Sequence, residues 1–249
     1  MLFVTTENNQ KIRKLADWLT ESQNTIAFTG AGMSTESGIP DFRSDKGLWT
    51  KTDPMEVATV EAMSRRYDLF HEFYSLRIKN VQHAEPHAGH KVLAEWENKG
   101  KLTAIATQNV DRYHHKSGSK NVYELHGALE NIRCIDHGHS ATTDEFLNQQ
   151  TCARCGSLLR PGVVLFGEML PQNTWTQALN LIQQSELLLI IGTSLKVHPV
   201  NQLPSMAKGR VVLINRENIE GTYHFDLTLS GSAGEILQAT DQMIQGESE

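Results

Sequence analysis

Cys134, Cys152 and Cys155 are the three cysteines of this 249-residue chain, and their spacing is that of metal ligands. Cys134 and His137 form a Cys-x-x-His pair, Cys152 and Cys155 a Cys-x-x-Cys pair, and Gly138 to Thr151 separates them. Thiolates and an imidazole at those offsets suit a tetrahedral structural zinc. His139 lies within reach as a second candidate for the fourth ligand. Thr107-Gln108-Asn109-Val110-Asp111 is a different kind of cluster. Its amides and carboxylate offer donors and acceptors in fixed directions, which suits a ribose and a carboxamide. A capped strand-to-helix turn would use one Asn and one Asp equally well. Gly30-Ala31-Gly32 lets the backbone approach a pyrophosphate closely, with free amides facing it. The third glycine of a dehydrogenase fingerprint would fall at Thr35, so that fingerprint is missing.

Each cluster follows an element that can position it. Short β-branched runs end in polar or glycine-rich residues at Thr25–Phe28, Leu102–Ala106, Leu187–Ile191 and Val211–Ile214. Unalternating runs of this kind read as strands buried on both faces. Between them lie helical spacings. Ile12, Leu15, Ala16 and Leu19 share a stripe within Lys11 to Ser22. A second helix opens at Pro86 and runs towards Gly100, with Leu93 and Trp96 inward. Thr174 to Gln184 and Gly234 to Met243 complete the set. Strands alternating with helices predict an α/β fold with a Rossmann-like, doubly wound parallel sheet, and ligands bind beyond the carboxyl ends of such strands. The remaining stretches, about 37–85 and 129–165, lack this alternation and predict a smaller zinc-binding and helical module, in which bound metal replaces a missing core. The sheet would take about 1–36, 86–128 and 166–249, within one catalytic domain.

The net charge of −6 provides no footprint for direct nucleic-acid binding. No apolar run approaches the roughly 20 residues that span a bilayer. Met1 to Gln10 lacks the order of a signal peptide, and three cysteines make no disulfide framework, so a cytoplasmic location is expected.

The whole string from Gly30 through Ser34-Thr35-Glu36-Ser37-Gly38-Ile39-Pro40-Asp41-Phe42-Arg43 resembles the cofactor loop of sirtuins. Thr107 to Asp111, Glu124-Leu125-His126-Gly127, the cysteine set, Arg160 to Glu168 and Gly192-Thr193-Ser194 match the same family in collinear order. Two positions depart from it: Tyr113 stands where a leucine is usual, and His137 where a cysteine is usual. The resemblance implies removal of acetyl or other acyl groups from protein lysines, with NAD consumed and zinc structural. It singles out His126 among eleven histidines as the catalytic base, with Asn109 and Asp111 orienting ribose and carboxamide. It assigns Gly30, Ala31, Gly32, Thr35, Asp41, Phe42, Arg43, Gln108, Val110, Gly192, Thr193, Ser194, Asn215 and Ala233 to the cofactor. Val163, Phe166, Gly167 and Glu168 would hold the acylated lysine, with backbone pairing to an extended peptide. Tyr74 and Arg77, three apart on one helical face, match the pair that sirtuins removing succinyl or malonyl groups carry, since a guanidinium can grip a carboxylate bidentately. The same two residues also fit an ordinary apolar stripe with an outward arginine. ADP-ribosyl transfer to a protein side chain is the other alternative. A reversible oxidoreductase and a non-catalytic NAD-binding module fit the residues less well.

Overall fold

The computed structural model describes residues 6–45, 47–219 and 223–246; the first five residues of the Met1 to Gln10 stretch lie outside them. In chain order the strands are β1 (Thr25–Thr29), β2 (Ala104–Thr107), β3 (Val122–Glu124), β4 (Gly127–Cys134), β5 (Leu159–Val163), β6 (Leu187–Ile191), β7 (Arg210–Asn215) and β8 (Leu227–Ser230). The helices are α1 (Thr6–Glu21), α2 (Pro54–Val57), α3 (Val60–Arg65), α4 (Tyr67–His83), α5 (Ala88–Asn98), α6 (Tyr113–Lys116), α7 (Thr143–Leu147), α8 (Gln172–Gln184) and α9 (Ala233–Gly246).

Six strands pair in parallel in the order β3-β2-β1-β6-β7-β8. The central pair, β1 and β6, is buried at every residue, as its unalternating apolar sequence requires. Alternation along β1 sends Ala27 to one face and Ile26 and Phe28 to the other. Ala27 meets Ile12, Leu15 and Leu19 of α1, Leu93 and Trp96 of α5, and Leu237 of α9. Ile26 and Phe28 meet Ala178 and Ile182 of α8 with Val200 and Leu203 of a 3₁₀ turn. The sheet therefore carries helices on both faces. Chain order runs outward from β1 to β2 and β3 on one side and resumes at β6 on the other. The switch point lies between β1 and β6, where open parallel sheets bind ligands.

Helix α5 starts later than its proline suggests. His87 is the N-cap, its ring nitrogen accepting the Gly89 amide at 3.0 Å, and Gly100 with φ +72° terminates the helix.

The zinc-spaced segment shares an apolar core with α4. β4 and β5 form an antiparallel ribbon. Leu129, Ile132 and Leu159 of that ribbon and Phe146 of α7 are buried with Phe70, Tyr74 and Ile78 of α4. The Phe146 ring packs tilted against His71, centroids 4.6 Å apart, and its carbonyl lies 2.6 Å from the His71 Nε2. The two non-alternating stretches thus share one core, which neither could close alone.

Candidate active site

The loops after β1 and β6 press on each other at the switch point. Gly32 donates its amide to the Gly192 carbonyl at 2.8 Å, and Gly30 donates to Ile191 at 3.0 Å. A Cβ on Gly32 would stand 2.8 Å from Gly192, which itself has φ +59°. These glycines exist for loop-to-loop contact, and their amides are spent there. The sequence expectation that these amides face a pyrophosphate is corrected accordingly.

Beyond that contact opens a cavity of about 440 Å³. Ala31, Gly32, Thr35, Asp41, Phe42, Arg43, Gln108, Asn109, Gly192, Thr193, Ser194, Asn215 and Ala233 line it, with His126 at one end. Gly30, Val110 and Asp111 do not. Gly30 is packed under Thr193, Val110 faces a second cavity and Asp111 a narrow niche. Asp41 is occupied locally, its Oδ1 accepting the amides of Arg43 and Ser44 at 3.1 and 2.9 Å. Gln108 Nε2 donates to Thr193 Oγ1 at 3.0 Å, tying the β2 loop to the β6 loop across the crevice.

A buried chain of polar groups lies at the niche. Asn109 Nδ2 donates to Ser34 Oγ at 3.0 Å, and Ser34 Oγ donates to Asp111 Oδ2 at 2.7 Å. Asp111 Oδ1 accepts the Tyr113 amide at 2.9 Å. Burial pushes the Asp111 carboxyl above its usual range, opposed by the Tyr113 amide, the Ser34 hydroxyl and the charge of Arg77. Ser34 sits inside the glycine-loop string yet carries no signal of its own; only its burial beside Asn109 and Asp111 marks it.

His126 follows the edge strand β3. Its Nδ1 lies 3.1 Å from the Gln108 carbonyl, which can only accept, so Nδ1 carries the proton and Nε2 is left basic. Burial holds its pKa below the ordinary histidine value; the bond to Gln108 opposes this and the Arg43 charge adds to it. The His126 carbonyl accepts the Val164 amide at 2.9 Å, which ties the residue to the loop after β5. Gly127 has φ +70° and turns the chain from β3 into β4.

The second cavity, about 560 Å³, is predominantly apolar. Val163, Phe166, Gly167 and Glu168 line it, as do Val110, Tyr74, Arg77 and Trp175. Glu168 is largely spent. Arg160 NH2 donates to its Oε2 at 3.0 Å and the Leu165 amide at 2.8 Å. Burial alone would raise the Glu168 pKa, but Arg160 and the Leu165 amide hold it below the usual range. Phe166 exchanges backbone bonds with Ala58 and Val60, at 2.9 and 3.3 Å, so its amide and carbonyl are already paired. Met169, 82% exposed, stands at the mouth, and no motif announced it. Arg77 lies over the Phe42 ring at 4.9 Å; among the described residues no hydrogen bond or ion pair reaches its guanidinium. Burial raises the Tyr74 hydroxyl to about 12.

Cys134, Cys152 and Cys155 converge with His139, their ligand atoms all within 4.8 Å of one another. His137, the first choice by spacing, instead stacks outside on His139 at 5.5 Å between ring centroids. The turn closes with Gly138 at φ +69° and the His139 amide 3.3 Å from Cys134 Sγ, which brings residue 139 back over the thiols. Cys134 and Cys155 sulfurs are 3.8 Å apart, and Cys152 Sγ is 3.6 Å from His139 Nδ1. A tetrahedron with zinc–sulfur bonds of about 2.3 Å and a zinc–nitrogen bond of about 2.0 Å has edges of about those lengths, so the set fits zinc with all four positions filled by protein.

A model of the Sir2 family matches residues 30–199 of the chain. NAD-dependent protein deacetylase 1 of Geobacillus kaustophilus is 47% identical over 235 residues, covering 92% of this chain and 97% of that protein. NAD-dependent protein deacylase 2 of Archaeoglobus fulgidus is 39% identical over 237 residues, 91% and 93% of the two chains. A Sir2 homolog–NAD complex superposes with a TM-score of 0.88 at 36% identity, over 95% of this chain and 94% of that one. A Sir2–p53 peptide–NAD+ complex gives 0.84 at 32%, over 96% and 99%.

Proposed function

The chain belongs to the Sir2 family, and from that premise we propose that it removes acetyl groups from protein lysine side chains, consuming NAD and yielding nicotinamide, acyl-ADP-ribose and free lysine. The observation that carries this reading is His126, a neutral imidazole lining both cavities, with its proton on the Gln108 side. One cavity suits a dinucleotide and the other an acyl-lysine chain. They meet at a base.

NAD supplies an electrophilic ribose carbon once its nicotinamide departs. The chain supplies placement, exclusion of water and a proton acceptor. Ser34, Asn109 and Asp111 would orient the carboxamide and ribose from the niche. Gly192 to Ser194, Asn215 and Ala233 would take the adenosine half, and Phe42 with Arg43 would cover the reacting face. Val163 and Phe166 would wall the acyl chain so that its carbonyl oxygen meets the ribose carbon. His126 Nε2 would then accept a proton from a ribose hydroxyl, freeing that oxygen to attack the acyl carbon; the lysine amine leaves that carbon with a proton and one water adds there, giving acyl-ADP-ribose. Zinc on Cys134, His139, Cys152 and Cys155 would hold the ribbon without entering the chemistry. The complex of a Sir2 protein with a p53 peptide supports a peptide substrate. A cytoplasmic location accords with three free thiols and with the absence, among the described residues, of a helix able to cross a membrane.

The test is incubation of the zinc-loaded protein with NAD and an acetylated peptide, read by mass spectrometry. Equal yields of nicotinamide, acetyl-ADP-ribose and free lysine are expected. ADP-ribose attached to the peptide, or a rise in NADH absorbance, would assign the chain to transfer or to hydride chemistry instead.

Arg77 favours a second reading alongside the first. A guanidinium lining the acyl cavity, held over the Phe42, Phe73 and Tyr74 rings but with no hydrogen bond or ion pair among the described residues, suits an acyl chain ending in a carboxylate, such as succinyl or malonyl.

A further inference from the structure

We propose that Arg112 is a positioning residue for the base His126, an inference that rests on the deacylation reading and deepens it. Arg112 directly follows Asp111 and has φ 63° and ψ 19°, the left-handed region that favours glycine. A bulky side chain there is strained, and strain of this kind persists where the surroundings over-determine it.

The surroundings are two carboxylates that bracket the base. Arg112 Nε donates to Glu124 Oε1 at 3.2 Å, and its NH1 lies 4.0 Å from Glu130 Oε2. Glu124 is the last residue of β3, two before His126; Glu130 lies on β4, four after it. The guanidinium therefore spans from the Asp111 loop to the strand entering His126 and the strand leaving it. His115 and Lys116 reinforce the same carboxylates, at 3.5 Å to Glu124 and 3.0 Å to Glu130, but each touches one only. Of these three side chains only Arg112 reaches both carboxylates. Its side chain and that of Glu124 are 33% and 17% exposed, enough burial for a directed contact and too much for a freely solvated one.

Backbone bonds already join the two segments, Leu125 to Thr107 and Leu129 to Val110, each at 2.9 Å. They fix the strands on either side of His126, and the Val164 amide on the His126 carbonyl holds the turn between them. Arg112 adds a side-chain tie between Glu124 and Glu130, the carboxylates before and after that turn.

Arg112→Gly relieves the backbone strain while cutting the bridge, so stability and catalysis should part company. The melting temperature should stay level or rise. Deacylation kcat should fall about fivefold to tenfold, with KM for NAD and peptide within about twofold, because a displaced base slows only steps that need it. Exchange of labelled nicotinamide into NAD reads bond cleavage before proton removal and should change less than about twofold. Glu124→Gln should show the same split, and Arg112→Lys should recover part of the loss. Unchanged kcat, or equal losses in exchange and deacylation, would overturn the proposal. Wild-type protein that releases no nicotinamide would overturn the functional reading and this inference with it; an active wild type matched by both variants overturns the inference alone.

Discussion

The two cavities that meet at His126 are built on different principles. The cofactor side is made by short loops leaving β1, β2, β6 and β7, held by backbone contacts such as Gly32 on Gly192. The acyl side is assembled from side chains of remote segments: Trp49, Tyr74, Arg77, Val163, Phe166 and Trp175. Phe42, Arg43, Gln108, His126 and Val197 line both. A backbone-built site tolerates few changes, whereas a side-chain-built site can be altered residue by residue. Dinucleotide use should therefore be hard to change and acyl preference easy.

The comparison is tested most severely at the shared base. His126→Ala should lower deacylation on every acyl peptide by about a hundredfold to ten-thousandfold, with NAD binding and melting temperature little changed. An active, folded variant would remove His126 from the mechanism. Next in size is the metal. Cys152→Ser should cut bound zinc, measured by elemental analysis, and weaken peptide binding more than NAD binding, because the ribbon borders the acyl side. Equal losses would mean the two sides are not separable.

Arg77→Met sharpens the contrast further. If Arg77 holds an acyl carboxylate, succinyl-peptide turnover should fall about tenfold to a hundredfold, the cost of one charge-assisted contact, with acetyl turnover within about threefold. A uniform loss would assign Arg77 to the niche beside Asp111. Arg43→Gln acts on the cofactor side through charge. Because burial and Arg43 both depress His126, the acid limb of kcat/KM should lie below pH 6.5, and removing the cation should move it upward.

The smallest effect is on stability. His90 is fully buried with neither ring nitrogen bonded, and burial depresses its pKa; His114, on Thr29 Oγ1 at 3.0 Å, is lowered by burial to about 3. Groups depressed in the fold stabilise above their unfolded pKa, near 6.5, and that contribution is lost as pH falls from there towards about 3. Melting temperature should drop between pH 7 and pH 5, and His90→Leu should flatten that drop. An unchanged slope would exclude His90 as a source.

The sheet and its loops were legible because contiguous residues carry them. A strand buried on both faces has no choice but an apolar run, and the polar residues that end it mark its carboxyl edge. Contacts between distant segments were not legible. Spacing places His137 within reach of a metal, but direction is set by the turn at Gly138, and the ring at 139 is the one that arrives. The amides of Gly30 and Gly32 are free as far as local sequence goes, and the β6 loop, about 160 residues on, takes both. The core of the ribbon was hidden because half of it, Phe70, Tyr74 and Ile78, lies more than fifty residues earlier in the chain.

The bond from the Val164 amide to the His126 carbonyl has a mechanical result. The loop that would receive the incoming acylated chain and the imidazole that would complete the reaction are coupled through one peptide unit. A chain seated on that loop would bear on the base through a single hydrogen bond, with no side chain between them.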